Sequence, residues 1–104
     1  MGSEYTKVGN VSDFSPGSFR RVVVSGVSVL VVNVDGKVYA MSDSCTHRGA
    51  PLSDGELDHE IVICPWHGGQ FNIITGKVIS PPPMKDLSIF EVQVKGFDVF
   101  LKMK

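Results

Sequence analysis

Two Cys/His clusters constrain this chain more than anything else in it: Cys45-Thr46-His47 and Cys64-Pro65-Trp66-His67 hold its only two cysteines and two of its three histidines. If both serve one centre, the two loops must be neighbours in the fold. One thiolate and one imidazole per loop suits a two-iron, two-sulfur cluster in which one iron takes both sulfur ligands and the other both nitrogens. Zinc also accepts two thiolates and two imidazoles, although zinc fingers usually pair Cys with Cys and His with His on short hairpin and helix pieces. A disulfide between Cys45 and Cys64 is a further alternative, permitted by an even cysteine count in a secreted chain, and it leaves both histidines without a role. Nucleophilic catalysis fits less well, because each cysteine has its own histidine and no third orienting group recurs at a matching spacing.

The rest of the chain narrows the setting. At 104 residues, 42% hydrophobic and a net charge of −1, it has the size and apolar content of one domain, residues 1–104, with a modest core. Its cations are scattered, so it lacks the basic field that nucleic acid binding needs. No uninterrupted apolar run is longer than that at 29–32, far short of the roughly 20 residues that span a bilayer. The polar start MGSEYTKVGN has no signal-peptide core. The expectation is therefore a soluble, cytoplasmic protein with no membrane or nucleic acid partner.

β-branched residues at strand-like spacing dominate, and helical periodicity is hard to find. Turn signals fall at Pro16-Gly17, Ser25-Gly26, Asp35-Gly36, Thr75-Gly76 and Lys95-Gly96. The pattern predicts an all-β fold with strands at 5–8, 19–25, 27–34, 37–41, 61–64, 70–72, 77–79, 88–95 and 97–102. A hairpin-like stretch within 53–62 links the two Cys/His loops, at 44–52 and 64–69. Phe71, Phe90, Phe97 and Phe100 read as core residues.

Written out, the loops are CTHRGAPL and CPWHGGQF, and they closely resemble the two cluster-binding loops of Rieske proteins. The resemblance combines four ligand positions with Gly49, Pro65, Gly68 and Gly69, small or rigid residues that let loop backbone approach a buried inorganic core. Outside the loops it is one of pattern, strand spacing and length. It implies an antiparallel β-sandwich or barrel with a small cluster-binding subdomain at about 43–83, one 2Fe-2S cluster per chain, and Cys45, His47, Cys64 and His67 as its ligands. Exchanging two thiolates for neutral imidazoles leaves a less negative centre and raises the reduction potential. The second ring nitrogens of His47 and His67 couple that potential to pH.

Around the ligands, Gly49, Gly68 and Gly69 are read as places where backbone N–H groups reach cluster sulfur, with simple turn chemistry as the alternative. Trp66 is read either as a partner-facing anchor or as a lid that excludes water. Pro81-Pro82-Pro83 forms a wall over the loops, as in Rieske folds, or a stiff connection. His59, between Asp58 and Glu60, reads as a solvated surface residue. Asp54, Glu56, Asp58 and Glu60 make the inter-ligand segment acidic, a solvated turn or a surface that steers a basic partner.

Two departures from the high-potential members of the family bear on voltage. Their extra disulfide-forming cysteines are replaced by Ala50 and Trp66, and their serine and tyrosine hydroxyl donors by Gly69 and Phe71. The resemblance is to Rieske ferredoxins that carry electrons from a flavoprotein reductase to a ring-hydroxylating oxygenase. It implies an electron-transfer protein with no catalytic site of its own. The alternative functions are a small redox or regulatory subunit of a larger oxidoreductase, or a structural zinc module.

Overall fold

A strand that is apolar on both faces has to be covered on both, and the run 29–32 receives that cover. Val29, Leu30, Val31 and Val32 are all fully buried. The computed structural model of the chain describes residues 5–44, 49, 51–65, 68–80 and 85–102. Among these it places ten strands: β1 (Tyr5–Asn10), β2 (Phe19–Val24), β3 (Val27–Val34), β4 (Lys37–Ser42), β5 (Glu56–Asp58), β6 (Ile61–Ile63), β7 (Gln70–Asn72), β8 (Val78–Ser80), β9 (Ile89–Lys95) and β10 (Asp98–Lys102). Two 3₁₀ turns, Val11–Asp13 and Leu52–Asp54, are the only helical pieces among the described residues. None is long and apolar enough to cross a membrane.

All strand pairs are antiparallel. A six-stranded sheet in the order β1-β10-β9-β4-β3-β2 curls until its edge strands β1 and β2 approach each other, and β5-β6-β7-β8 form a four-stranded sheet. Two-residue turns set much of the register. Both Ser25-Gly26 and Asp35-Gly36 have positive φ at each residue, the type I′ pattern whose twist matches that of the strands it joins.

Side-chain alternation along β3 then builds two cores from one strand. Val29 and Val31 face the interior of the curl with Phe14, Ala40, Val99 and Leu101. Leu30 and Val32 face the other way, where with Met41 they meet Leu52, Val62, Cys64, Phe71, Ile73 and Leu87. This second core mounts the small sheet on the large one. The chain returning from the small sheet is pinned to it as well. The Leu87 N–H donates to the Gly76 carbonyl at 2.7 Å, and the Val78 N–H donates to the Asp86 carboxylate at 2.9 Å.

The all-β expectation holds, and most strand ends agree within a residue or two. β5 was anticipated only as part of a hairpin-like stretch. Its outer residues Glu56 and Asp58 are exposed while Leu57 packs toward the inter-sheet core, a three-residue alternation too short to stand out in sequence. Two aromatic expectations are corrected. Phe97 is 79% exposed, because Gly96 and Phe97 form the turn closed by the Lys95–Asp98 pair and Phe97 belongs to no strand. Phe100 is half-buried, since its neighbours Val99 and Leu101 take the inner face and the pleat turns Phe100 outward. Phe71 is fully buried, and Phe90 packs against the inner core as expected.

The Tyr5 hydroxyl donates to the Glu91 carboxylate at 2.6 Å, spanning β1 to β9 across β10. That bond exists only while the phenol keeps its proton, so it raises the tyrosine pKa above its ordinary value. The stability it contributes is present below the ordinary tyrosine pKa of about 10 and is lost as pH rises through the raised folded value. Comparing denaturation of the wild type and Tyr5→Phe across alkaline pH should show the difference between them vanishing at high pH. For the inter-sheet core, Leu30→Ala should cost about 2–5 kcal/mol in denaturant unfolding. Val23→Ala, at a strand position 59% exposed, should stay within about 0.5 kcal/mol.

Candidate metal centre

The second Cys/His loop is the connection between β6 and β7. The strands pair through Ile63 and Gln70, and the loop between them is closed by the Cys64 N–H donating to the Gly69 carbonyl at 2.7 Å. Cys64 is only 3% exposed and belongs to the inter-sheet core beside Leu52, Val62 and Phe71. This cysteine is thus held at its root by packing and by backbone hydrogen bonding. Gly69 is buried, and its carbonyl serves the turn; Gly68 is exposed with φ 72, and Gly49 is exposed with φ 75.

The first loop leaves β4 at Ser42. The Asp43 N–H donates to the Ser28 carbonyl at 3.1 Å, and the Asp43 carboxylate accepts from the Ser53 N–H at 2.6 Å and the Ser53 hydroxyl at 2.7 Å. The two ends of the loop are therefore tied to each other. Leu52, fully buried, anchors the descending end in the inter-sheet core.

Gly55 joins the two loops. A methyl group placed on it would overlap the Ile63 carbonyl and lie 3.1 Å from the Pro65 ring. Only glycine lets the 3₁₀ turn that ends the first loop rest on the backbone that enters the second. A shallow depression here is lined by Asp54, Gly55, Glu56, Ile63, Cys64, Pro65 and Gly68.

Of the expected site residues, Cys45, His47, Trp66 and His67 lie outside the described residues, as do Ala50 and Pro81, Pro82 and Pro83. Cys64, Gly49, Gly68 and Gly69 are placed as above. His59 is solvated as expected: its side chain is 93% exposed at the β5–β6 turn, with Nδ1 2.9 Å from the Asp58 carboxylate. Among the described residues no group of three or more His, Cys, Asp or Glu side chains gathers as a metal site. Asp43, Ser53 and Gly55, which tie the loop ends, are not singled out by the sequence. The available signals were an aspartate two residues before Cys45, and a glycine inside a run noticed only for its charge.

The chemistry of the donor set, read from the sequence as one thiolate and one imidazole in each of two loops, fits a 2Fe-2S cluster, and the described cysteine is buried. Residues 4–92 match the family model of the Rieske [2Fe-2S] domain, and the chain belongs to that family. Several of its relatives are ferredoxins. Over 102 residues it is 43% identical to Ferredoxin CarAc of Metapseudomonas resinovorans, covering 97% of this chain and 95% of that protein. Over 98 residues it is 39% identical to the Biphenyl dioxygenase ferredoxin subunit of Pseudomonas sp. (strain KKS102), covering 93% and 90%. Among solved structures, a chain of the complex of reduced oxygenase and oxidized ferredoxin in carbazole 1,9a-dioxygenase superposes with a TM-score of 0.90 at 41% identity, covering 97% of this chain and 94% of that one.

Gly55→Ala should destabilise the protein by about 1–3 kcal/mol, the usual cost of overpacking, as read from its thermal midpoint. An unchanged midpoint would mean that the two loop roots do not depend on this contact.

Proposed function

We propose that the chain is a one-electron carrier whose 2Fe-2S cluster is held by Cys45, His47, Cys64 and His67. Residues from about 43 to 83 form the cluster-binding part of a single domain. The observation that carries this reading is Cys64 itself, buried at the root of a hairpin loop whose backbone closes on Gly69, next to the anchored end of the other ligand loop. When bound, such a cluster supplies one reversible electron at a potential above that of all-thiolate sites. Family membership favours iron and sulfur over zinc, and the ferredoxin relatives favour a carrier over a regulatory subunit.

The chain's own residues do the rest. Gly49, Gly68 and Gly69 bring backbone close to the ligands, with N–H groups available to sulfur. Trp66, beside His67 in the sequence, serves as a partner-facing anchor or as a lid that excludes water. Gly69 and Phe71 offer no hydroxyl, so the more negative reduced state lacks two donors that stabilise it elsewhere in the family. The potential should fall at the low end of the roughly −150 to +300 mV Rieske range. The electron acceptor is an oxygenase, supported by the dioxygenase subunit and the oxygenase–ferredoxin complex among its relatives, and the donor, by the family resemblance, is a flavoprotein reductase. The compartment is the cytoplasm, whose reducing conditions keep thiols from oxidising to disulfides.

Purified protein should be reddish-brown and carry two iron and two labile sulfide per chain, as the cluster formula requires. Cys45→Ser and Cys64→Ser should each abolish the visible absorbance; retention of colour in both would sink the ligand assignment. In redox titration Gly69→Ser should move the midpoint upward, and a wild-type midpoint near the top of the range would refute the low-potential reading.

A further inference from the structure

Asp43 is the one carboxylate among the described residues whose side chain is wholly buried, and no step of the proposed carrier function so far uses it. Burying a carboxylate costs several kcal/mol unless it is matched by donors and opposite charge. Here both are present. Ser53 supplies two donors, its N–H at 2.6 Å and its hydroxyl at 2.7 Å. The guanidinium of Arg21 on β2 lies with Nε 3.7 Å from Asp43 Oδ2. Arg21 is itself steadied by donating from Nε and a terminal nitrogen to the Ser28 hydroxyl at 3.2 and 2.9 Å, while the Ser28 carbonyl accepts the Asp43 N–H at 3.1 Å. An asparagine would tie Ser53 with the same shape and without the desolvation cost, so shape alone does not account for an acid at this position.

The location does. Asp43 precedes Cys45 by two residues, a span of at most about 7 Å along the chain. A negative charge this close along the chain, in a buried setting, opposes the arrival of an electron, and a cation paired with it partly cancels that opposition. Arg21 is 54% exposed, so solvent screens it and its effect is the weaker of the two.

We propose that Asp43 is a positioning residue for the first ligand loop, tying its two ends through Ser53, and that the Asp43–Arg21 charge pair sets the reduction potential of the centre. This rests on the 2Fe-2S assignment above, and the iron and sulfide content of the wild type tests that assignment separately.

The experiment compares wild type, Asp43→Asn, Asp43→Ala and Arg21→Gln as purified holoproteins, by redox titration, by electron paramagnetic resonance of the reduced form, and by the rate at which visible absorbance is lost to an iron chelator. Asp43→Asn keeps the tie and removes the charge, so its midpoint should rise while its chelator resistance stays near wild type. Asp43→Ala removes both, and should lose absorbance several-fold faster with shifted or broadened resonance lines. Arg21→Gln removes the countercharge and should lower the midpoint, with its thermal midpoint measured alongside to show that the compared protein is folded. Equal midpoints in wild type, Asp43→Asn and Arg21→Gln, or shifts of the same sign in the two variants, overturn the electrostatic role. An Asp43→Ala protein as resistant to chelator as wild type overturns the positioning role. A wild type without iron and sulfide overturns the assignment beneath both.

Discussion

The burial of β3 on both faces is the constraint on which the rest of the molecule depends. Val29 and Val31 close the interior of the curled sheet, and Leu30 and Val32 form the floor on which the small sheet sits. Had β3 alternated apolar and polar, as an ordinary half-exposed antiparallel strand does, the large sheet would have folded over one core and left the small sheet nothing to dock on. The second core is also where Cys64 and Leu52 lie. Support for the fold and support for the two Cys/His loops thus come from the same core.

Much of this was legible because local chemistry and tertiary structure agree. Ser25-Gly26 and Asp35-Gly36 adopt the turn geometry that their residue types favour, so the hairpins around the apolar run could be read directly. The all-β class follows from such local agreement, and the family from the loop motifs CTHRGAPL and CPWHGGQF. Phe97 escaped because aromaticity suggests burial, while the turn closed by Lys95 and Asp98 takes precedence and leaves the ring outside. Gly55 and Asp43 escaped for a different reason. What each does is defined by a partner ten or so positions away, Ile63 for the glycine and Ser53 for the acid, and no window of sequence displays a contact of that kind.

The two loop roots are held by unlike means that complement each other. Around the first loop a buried carboxylate joins the two ends through hydrogen bonds. At the second, the hairpin closes on itself through Cys64 and Gly69, and Gly55 presses the first root against it. A group that accepts and returns one electron must be equally at home in both charge states. Surroundings fixed beforehand by packing and backbone bonds have little left to rearrange when the charge changes.

The edges of the small sheet carry a consequence for how the molecule behaves in company. An open strand edge is a template for another strand, and a carrier that meets partners repeatedly cannot let such encounters become permanent. On β5 the exposed Glu56 and Asp58 would face their own copies across any edge-to-edge pairing, setting carboxylate against carboxylate. On β8 the Val78 N–H is already occupied by Asp86 and is not free to bind a neighbour's carbonyl. Both margins thus disfavour lasting strand exchange, and the protein can visit another surface, leave it, and remain a separate molecule.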